Sequence, residues 1–190
     1  MLPYILMLIF VMLCANIYDR TKSTSFLIFC FVMMSVLAGF RDVNVGTDSW
    51  NYYFQFENKD ILNDINFPTL LTNEGLFDVL VWLSQKLSNN YFALFTLVAM
   101  LVYGASLKAI KDNSSSVTTS LFVYISLGIA VFCYNGERQA IAIAIYMLSF
   151  HSLQTKQFWK YCAIVLFATL FHRTIIVAIP LYFIFTAKFH

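Results

Sequence analysis

Long apolar runs alternate with short polar breaks along the chain, and the runs fall at residues 2–18, 24–40, 91–107, 117–134, 139–155, 158–171 and 174–188. Each is rich in Leu, Ile, Phe and Val and carries no polar stripe at helical spacing, the pattern of helices surrounded by lipid or by one another. Crossing a hydrocarbon core about 30 Å thick takes roughly 17–25 helical residues. The pattern therefore predicts an all-α, polytopic membrane helix bundle of about seven transmembrane helices, with residues 1–190 as one transmembrane domain. The last two runs are short for a full crossing, so they are expected to tilt little and to leave the turn around His172 partly buried.

One long polar stretch, 41–90, separates the second and third runs and holds an aromatic cluster, Tyr52, Tyr53, Phe54 and Phe56. Within it, Glu74 to Leu87 (EGLFDVLVWLSQKL) sets Leu76, Phe77, Leu80, Val81, Leu83 and Leu87 at helical spacing, with Asp78, Gln85 and Lys86 elsewhere around the turn. This predicts one amphipathic helix lying on the outer membrane surface. Asp112 to Ser120 (DNSSSVTTS) reads as a short cytoplasmic loop. The first run has no basic segment ahead of it and no small-residue cleavage site, so it is expected to remain as a membrane helix rather than a removed signal.

Charge placement orients the bundle. With the N-terminus outside, Arg20, Lys22, Lys108, Lys111, Lys156, Lys160 and Lys188 all lie at cytoplasmic ends, seven of the twelve basic residues. Arg41, Lys59, Lys86, Arg138 and Arg173 then lie outside, together with Asp42, Asp48, Glu57, Asp60, Asp64, Glu74, Asp78 and Glu137, leaving only Asp19 and Asp112 within.

Composition narrows the class further. Apolar residues make up 60% of the 190 and charged residues 12%, too little polar surface to coat a water-soluble globule. A net charge of +2 gives no footing for nucleic acid. Cys14, Cys30, Cys133 and Cys162 sit inside apolar runs without CxxC spacing or a neighbouring histidine, so no metal site and no cofactor are expected.

Candidate chemistry gathers at the outer boundary. Arg41, Arg138 and Arg173 sit at span ends, where an outer-face arginine works against the topology signal and calls for a reason. Arg173 reads as a side chain reaching to lipid phosphate. Arg138 lies in the polar turn Tyr134-Asn135-Gly136-Glu137-Arg138-Gln139, and with Arg41 it could share one anion, phosphate or diphosphate, whose oxygens match the guanidinium fork. Asp48, Glu74 and His172 are then candidates for a general base, while His151 and His190, at cytoplasmic ends, are expected to be structural. The residues alone reach an outer polar site for an anionic lipid or lipid-linked substrate.

The runs Gly39-Phe40-Arg41, Val45-Gly46-Thr47-Asp48 and Tyr52-Tyr53 resemble the signature loop of the EpsG family of exopolysaccharide polymerases, seen also in Wzy-type O-antigen polymerases. Glu74-Gly75, Arg138-Gln139-Ala140-Ile141-Ala142 and Phe171-His172 match the same family in the same order. The resemblance implies a fold like the GT-C lipid-dependent glycosyltransferases, in the bacterial cytoplasmic membrane. It implies polymerisation, at the outer face, of repeat units carried on an undecaprenyl-diphosphate-linked oligosaccharide, in the company of membrane lipid and other polysaccharide-assembly proteins. Members of that family are longer and carry more spans, so on this resemblance the chain reads as a shortened form or as one part of a split fold. The roles implied are a diphosphate held by Arg41 and Arg138, a base at Glu74 or His172, and sugar bound by Asp48, Tyr52 and Tyr53, with Gly46 allowing a tight turn. A transporter or flippase subunit would place its charges nearer mid-span. A non-catalytic scaffold of a polysaccharide assembly complex and an acyltransferase are the other readings.

Overall fold

The computed structural model describes residues 2–58 and 74–187. Among them the chain is helical throughout, with no strand. Its α-helices are α1 (Leu2–Thr21), α2 (Ser25–Gly39), α3 (Ser49–Glu57), α4 (Gly75–Leu87), α5 (Phe92–Asn113), α6 (Val117–Ser126), α7 (Glu137–Met147), α8 (Phe150–Gln154), α9 (Phe158–Thr169) and α10 (Ala178–Thr186). Two 3₁₀ turns, Phe132–Tyr134 and Arg173–Val177, precede α7 and α10.

The expectation of seven spans is met only in part. α1 and α5, at 20 and 22 residues, are long and apolar enough to cross a membrane; at 1.5 Å per residue they reach about 30 Å. The other apolar runs form shorter helices broken by turns. The run 117–134 is helical only as far as Ser126, because Gly128 takes a left-handed φ of +75° and closes the helix. The freed backbone is not left bare: the Tyr103 hydroxyl on α5 donates to the Ala130 carbonyl at 2.8 Å, deep in the core. Such pairing is what lets non-helical backbone sit inside a membrane protein.

α5 is the centre of the bundle, packed by α2, α4 and α7. Its buried face runs through Leu94, Phe95, Val98, Ala99, Val102, Tyr103 and Leu107, which meets Cys30, Met34 and Ala38 of α2 and Ile141 of α7 in one core. Gly39 sets how closely α2 approaches α5, since a Cβ there would lie 2.8 Å from the Thr96 Cα. A smaller core of Tyr161, Val165, Ala178 and Tyr182 joins α9 to α10.

α4 matches the predicted amphipathic helix. Phe77 and Val81 are fully buried where the helix packs on α3 and α5, while Leu83 and Leu87 of the predicted stripe stay exposed. At the opposite end of the molecule Asp19, near the end of α1, accepts from the Val117 and Thr118 amides at 3.1 and 3.0 Å and from the Thr118 hydroxyl at 2.8 Å. It thereby caps the first turn of α6 from outside that helix. The four cysteines are buried and unpaired.

Candidate functional site

Two segments distant in sequence, 41–55 and 134–138, fold onto each other at the end of the bundle where α2 stops and α7 starts. Gly46 makes the approach possible: its φ is +107°, and a Cβ would run into the Tyr134 carbonyl and lie 2.7 Å from the Ser49 hydroxyl. Beside it, the Thr47 amide donates to Asn135 Oδ1 at 2.7 Å and the Ser49 hydroxyl donates to the Tyr134 carbonyl at 3.2 Å. The Glu137 amide donates to the Tyr52 hydroxyl at 3.1 Å, and Arg138 Nη2 donates to Gln55 Oε1 at 3.0 Å. The loop therefore fixes the first turn of α7, and with it the direction in which Arg138 projects.

Arg41 does not take the position expected for a diphosphate ligand. Its side chain is 2% exposed and its Nη2 is 2.7 Å from Oε1 of Glu137, itself wholly buried. Nη1 donates to the Ala38 carbonyl at 2.8 Å, and the guanidinium lies over the rings of Phe95 at 3.8 Å and Tyr134 at 4.9 Å. A guanidinium so enclosed has its charge met by a carboxylate and two aromatic faces before any substrate arrives. Arg41 thus anchors the start of α7 against the end of α2.

Of Arg41 and Arg138, the latter faces outward, its side chain 31% exposed. Its Nη1 is 3.5 Å from Glu74 Oε2 and its Nη2 4.0 Å from Asp78 Oδ1, while the guanidinium rests 5.0 Å from the Phe77 ring centroid. Gln55 ties this group together, accepting from Arg138 and donating to Asp78 Oδ1 at 2.8 Å. Burial raises the Asp78 carboxyl above the ordinary carboxylate range, against the opposing pull of Arg138 and Gln55.

Glu74 completes the cluster. It stands just before α4 with a left-handed φ of 58°, a conformation that costs a non-glycine residue about 1–2 kcal/mol. Its Oε1 accepts the Arg173 amide at 2.9 Å and lies 3.0 Å from His172 Nδ1. The imidazole contact is off the line of a ring N–H, so it is electrostatic in character rather than an aligned hydrogen bond. The Leu76 amide donates to the Leu170 carbonyl at 3.3 Å and holds this corner on the end of α9.

Glu74, Arg138 and His172 are therefore brought together, and Arg41 is set behind them in the core. Asp48 is exposed at the start of α3 and makes no side-chain cap bond there. Tyr52 spends its hydroxyl on Glu137 and packs its ring 5.5 Å from Phe77, so it belongs to the framework. Tyr53 joins an aromatic group with Trp50, Phe54 and Tyr91. Sequence reasoning passed over Gln55, Asp78 and the pairing role of Glu137. The available signals were the one-turn spacing of Tyr52 and Gln55 on one helix and the opposite charges of Arg41 and Glu137 at two span ends. Among the described residues no group of His, Cys, Asp and Glu is arranged to hold a metal ion.

An all-helical, apolar bundle with Glu74, Asp78, Arg138 and His172 clustered at one end fits a helical membrane protein with a polar site at its boundary. The chain belongs to the EpsG family, whose model matches residues 24–190, and membership marks it as a polysaccharide-related membrane protein. No curated protein and no solved structure matches it.

Proposed function

We propose that the chain is a polysaccharide polymerase, a metal-independent glycosyltransferase acting at the outer face of the bacterial cytoplasmic membrane. The observation that carries this reading is the Glu74 carboxylate, 3.0 Å from His172 Nδ1 and 3.5 Å from Arg138 Nη1, in a chain of this family. One carboxylate thus touches both a proton acceptor and an anion-binding group, the two devices a displacement with a diphosphate leaving group needs.

In this reaction a hydroxyl of the next lipid-linked repeat unit attacks the anomeric carbon of the growing chain. A new C–O glycosidic bond forms, the anomeric C–O bond to undecaprenyl diphosphate breaks, and the configuration inverts. The hydroxyl proton passes to the Glu74–His172 pair. The departing diphosphate takes the electron pair, and Arg138 meets its charge with a bidentate fork. Arg41 acts as a positioning residue, because its pair with Glu137 sets the first turn of α7. Asp48, just before α3, and Tyr53 on that helix contact sugar.

The test is polymer length on a gel from cells lacking the native gene, complemented with this chain, with Arg138→Ala or with Glu74→Gln. Long polymer with the native sequence and single repeat units with either variant is the expected result. Long polymer with Arg138→Ala would remove the assignment.

A further inference from the structure

A cavity lies apart from the polar cluster around Arg138. A cleft of about 190 Å³ opens between the end of α3 and the last turns of α4, lined among the described residues by Phe56, Glu57, Trp82, Gln85, Lys86 and Asn89. At about 30 Å³ per water it holds roughly six waters' worth of space, the scale of one sugar ring and too small for a polyprenyl chain. Its wall is fixed in advance: Gln85 Nε2 donates to the backbone carbonyls of Phe56 and Asn58. Phe56 is buried, while Glu57, Lys86 and Asn89 stand at an exposed rim.

Two features of the cleft point to the ligand. First, it pairs aromatic side chains with a carboxylate, an ammonium and amides, a mixed lining that suits a molecule with an apolar face edged by hydroxyls. A free anion would meet Glu57 and a free cation would meet Lys86, so the rim favours a neutral polyol over either. Second, the indole N–H of Trp82 is buried and has no hydrogen-bond partner among the described residues. A buried donor left unmatched costs about 1–3 kcal/mol, so this wall of the cleft is not fully satisfied within the protein.

We propose that this cleft is a saccharide subsite, seating one pyranose ring of the polysaccharide substrate against Trp82 with its hydroxyls on Glu57, Lys86 and Asn89. The proposal rests on the polymerase reading for the identity of the sugar. Position supports it. Asp78 and Gln85 lie on the same helix, seven residues apart, so the cleft is about 10 Å along α4 from the Arg138 cluster. Gln55, which touches Arg138 and Asp78, immediately precedes Phe56 and Glu57 in α3. A chain extending from the reacting sugar could follow this pair of helices into the cleft, so the subsite would hold a unit away from the bond being made.

The test uses the full chain in detergent with Trp50→Phe and Trp159→Phe, leaving Trp82 as the only indole of the three. The probe is the oligosaccharide mixture from partial acid hydrolysis of the producing cell's own exopolysaccharide, with dextran oligomers as control. Saturable change in Trp82 emission with the native saccharide and none with dextran is expected. Equilibrium dialysis should show affinity weakened at least about tenfold by Trp82→Ala, and by a smaller factor by Glu57→Gln, whose exposed position leaves folding intact. Arg138→Ala should leave this binding within about twofold. Unchanged emission at saturating saccharide, or unchanged affinity in Glu57→Gln and Trp82→Ala, would overturn the subsite while leaving the polymer-length result standing. Saccharide binding lost in Trp82→Ala, beside long polymer in Arg138→Ala cells, would keep the subsite and remove the polymerase assignment at Arg138.

Discussion

Arg41 and Glu137, 96 residues apart in the chain, form a 2.7 Å ion pair in which neither side chain reaches solvent. The pair is incompletely satisfied, since Arg41 Nε and Glu137 Oε2 have no hydrogen-bond partner among the described residues. Removing one member of a buried pair strands the other and costs about 3–5 kcal/mol, whereas replacing both by apolar residues of similar volume is often neutral. Arg41→Met and Glu137→Leu alone should therefore each lower the melting temperature and yield of detergent-solubilised protein, and the double variant should recover much of the loss. Fluorescence-detected gel filtration after heating reads this, and additive losses would show that the pair is not coupled.

Glu74 combines a backbone conformation suited to glycine with a side chain the proposed chemistry needs. Glu74→Gly should relieve about 1 kcal/mol of backbone strain, read as a melting temperature equal to or above the parent's. Glu74→Gln should retain the strain. Both should lower polymer formation on the order of a hundredfold or more, the scale of a lost general base.

Asp78 supplies a pH dependence with a defined sign. Its carboxyl titrates above the ordinary value near 3.9 because burial disfavours the charged form, against the pull of Arg138 and Gln55. Protonation removes a negative charge from beside the guanidinium, so binding of inorganic diphosphate should strengthen as pH falls through the raised titration of this carboxyl. Asp78→Asn should bind more tightly at neutral pH and show a flatter profile. Isothermal titration at several pH values measures both, and an unchanged slope in Asp78→Asn would place the titrating group elsewhere.

Gly46 is held at a positive φ against the Tyr134 carbonyl. Gly46→Ala should cost about 1–3 kcal/mol and separate the loop from the start of α7. Loss of polymer together with a lower melting temperature is expected, and a fully stable, active variant would mean the two segments tolerate separation.

The helical, lipid-immersed class was legible in the apolar runs, and the boundaries of α2 and α4 lay within a residue or so of those expected. The run 117–134 was not, because Gly128 ends a helix that hydropathy alone carries through. Glu74, Arg138 and His172 were legible as separate candidates, and it is the fold that brings them together. The burial of Arg41 was not legible, because its partner lies in another segment and hydropathy reports how polar a position is, not which polar group it faces. Lys59, Asp60 and Asp64 of the long loop, and Lys188 and His190 at the C-terminal end, lie outside the described residues.

The contact between Asp19 and the first turn of α6 separates ancestry from architecture. The family match covers residues 24–190, yet the carboxylate that terminates the open amides of α6 comes from residue 19. A chain cut to the matched stretch would keep every residue of the proposed site and lose the group that closes a helix of the bundle at its far end. The stretch that the family model matches is thus smaller than the stretch that closes this helix.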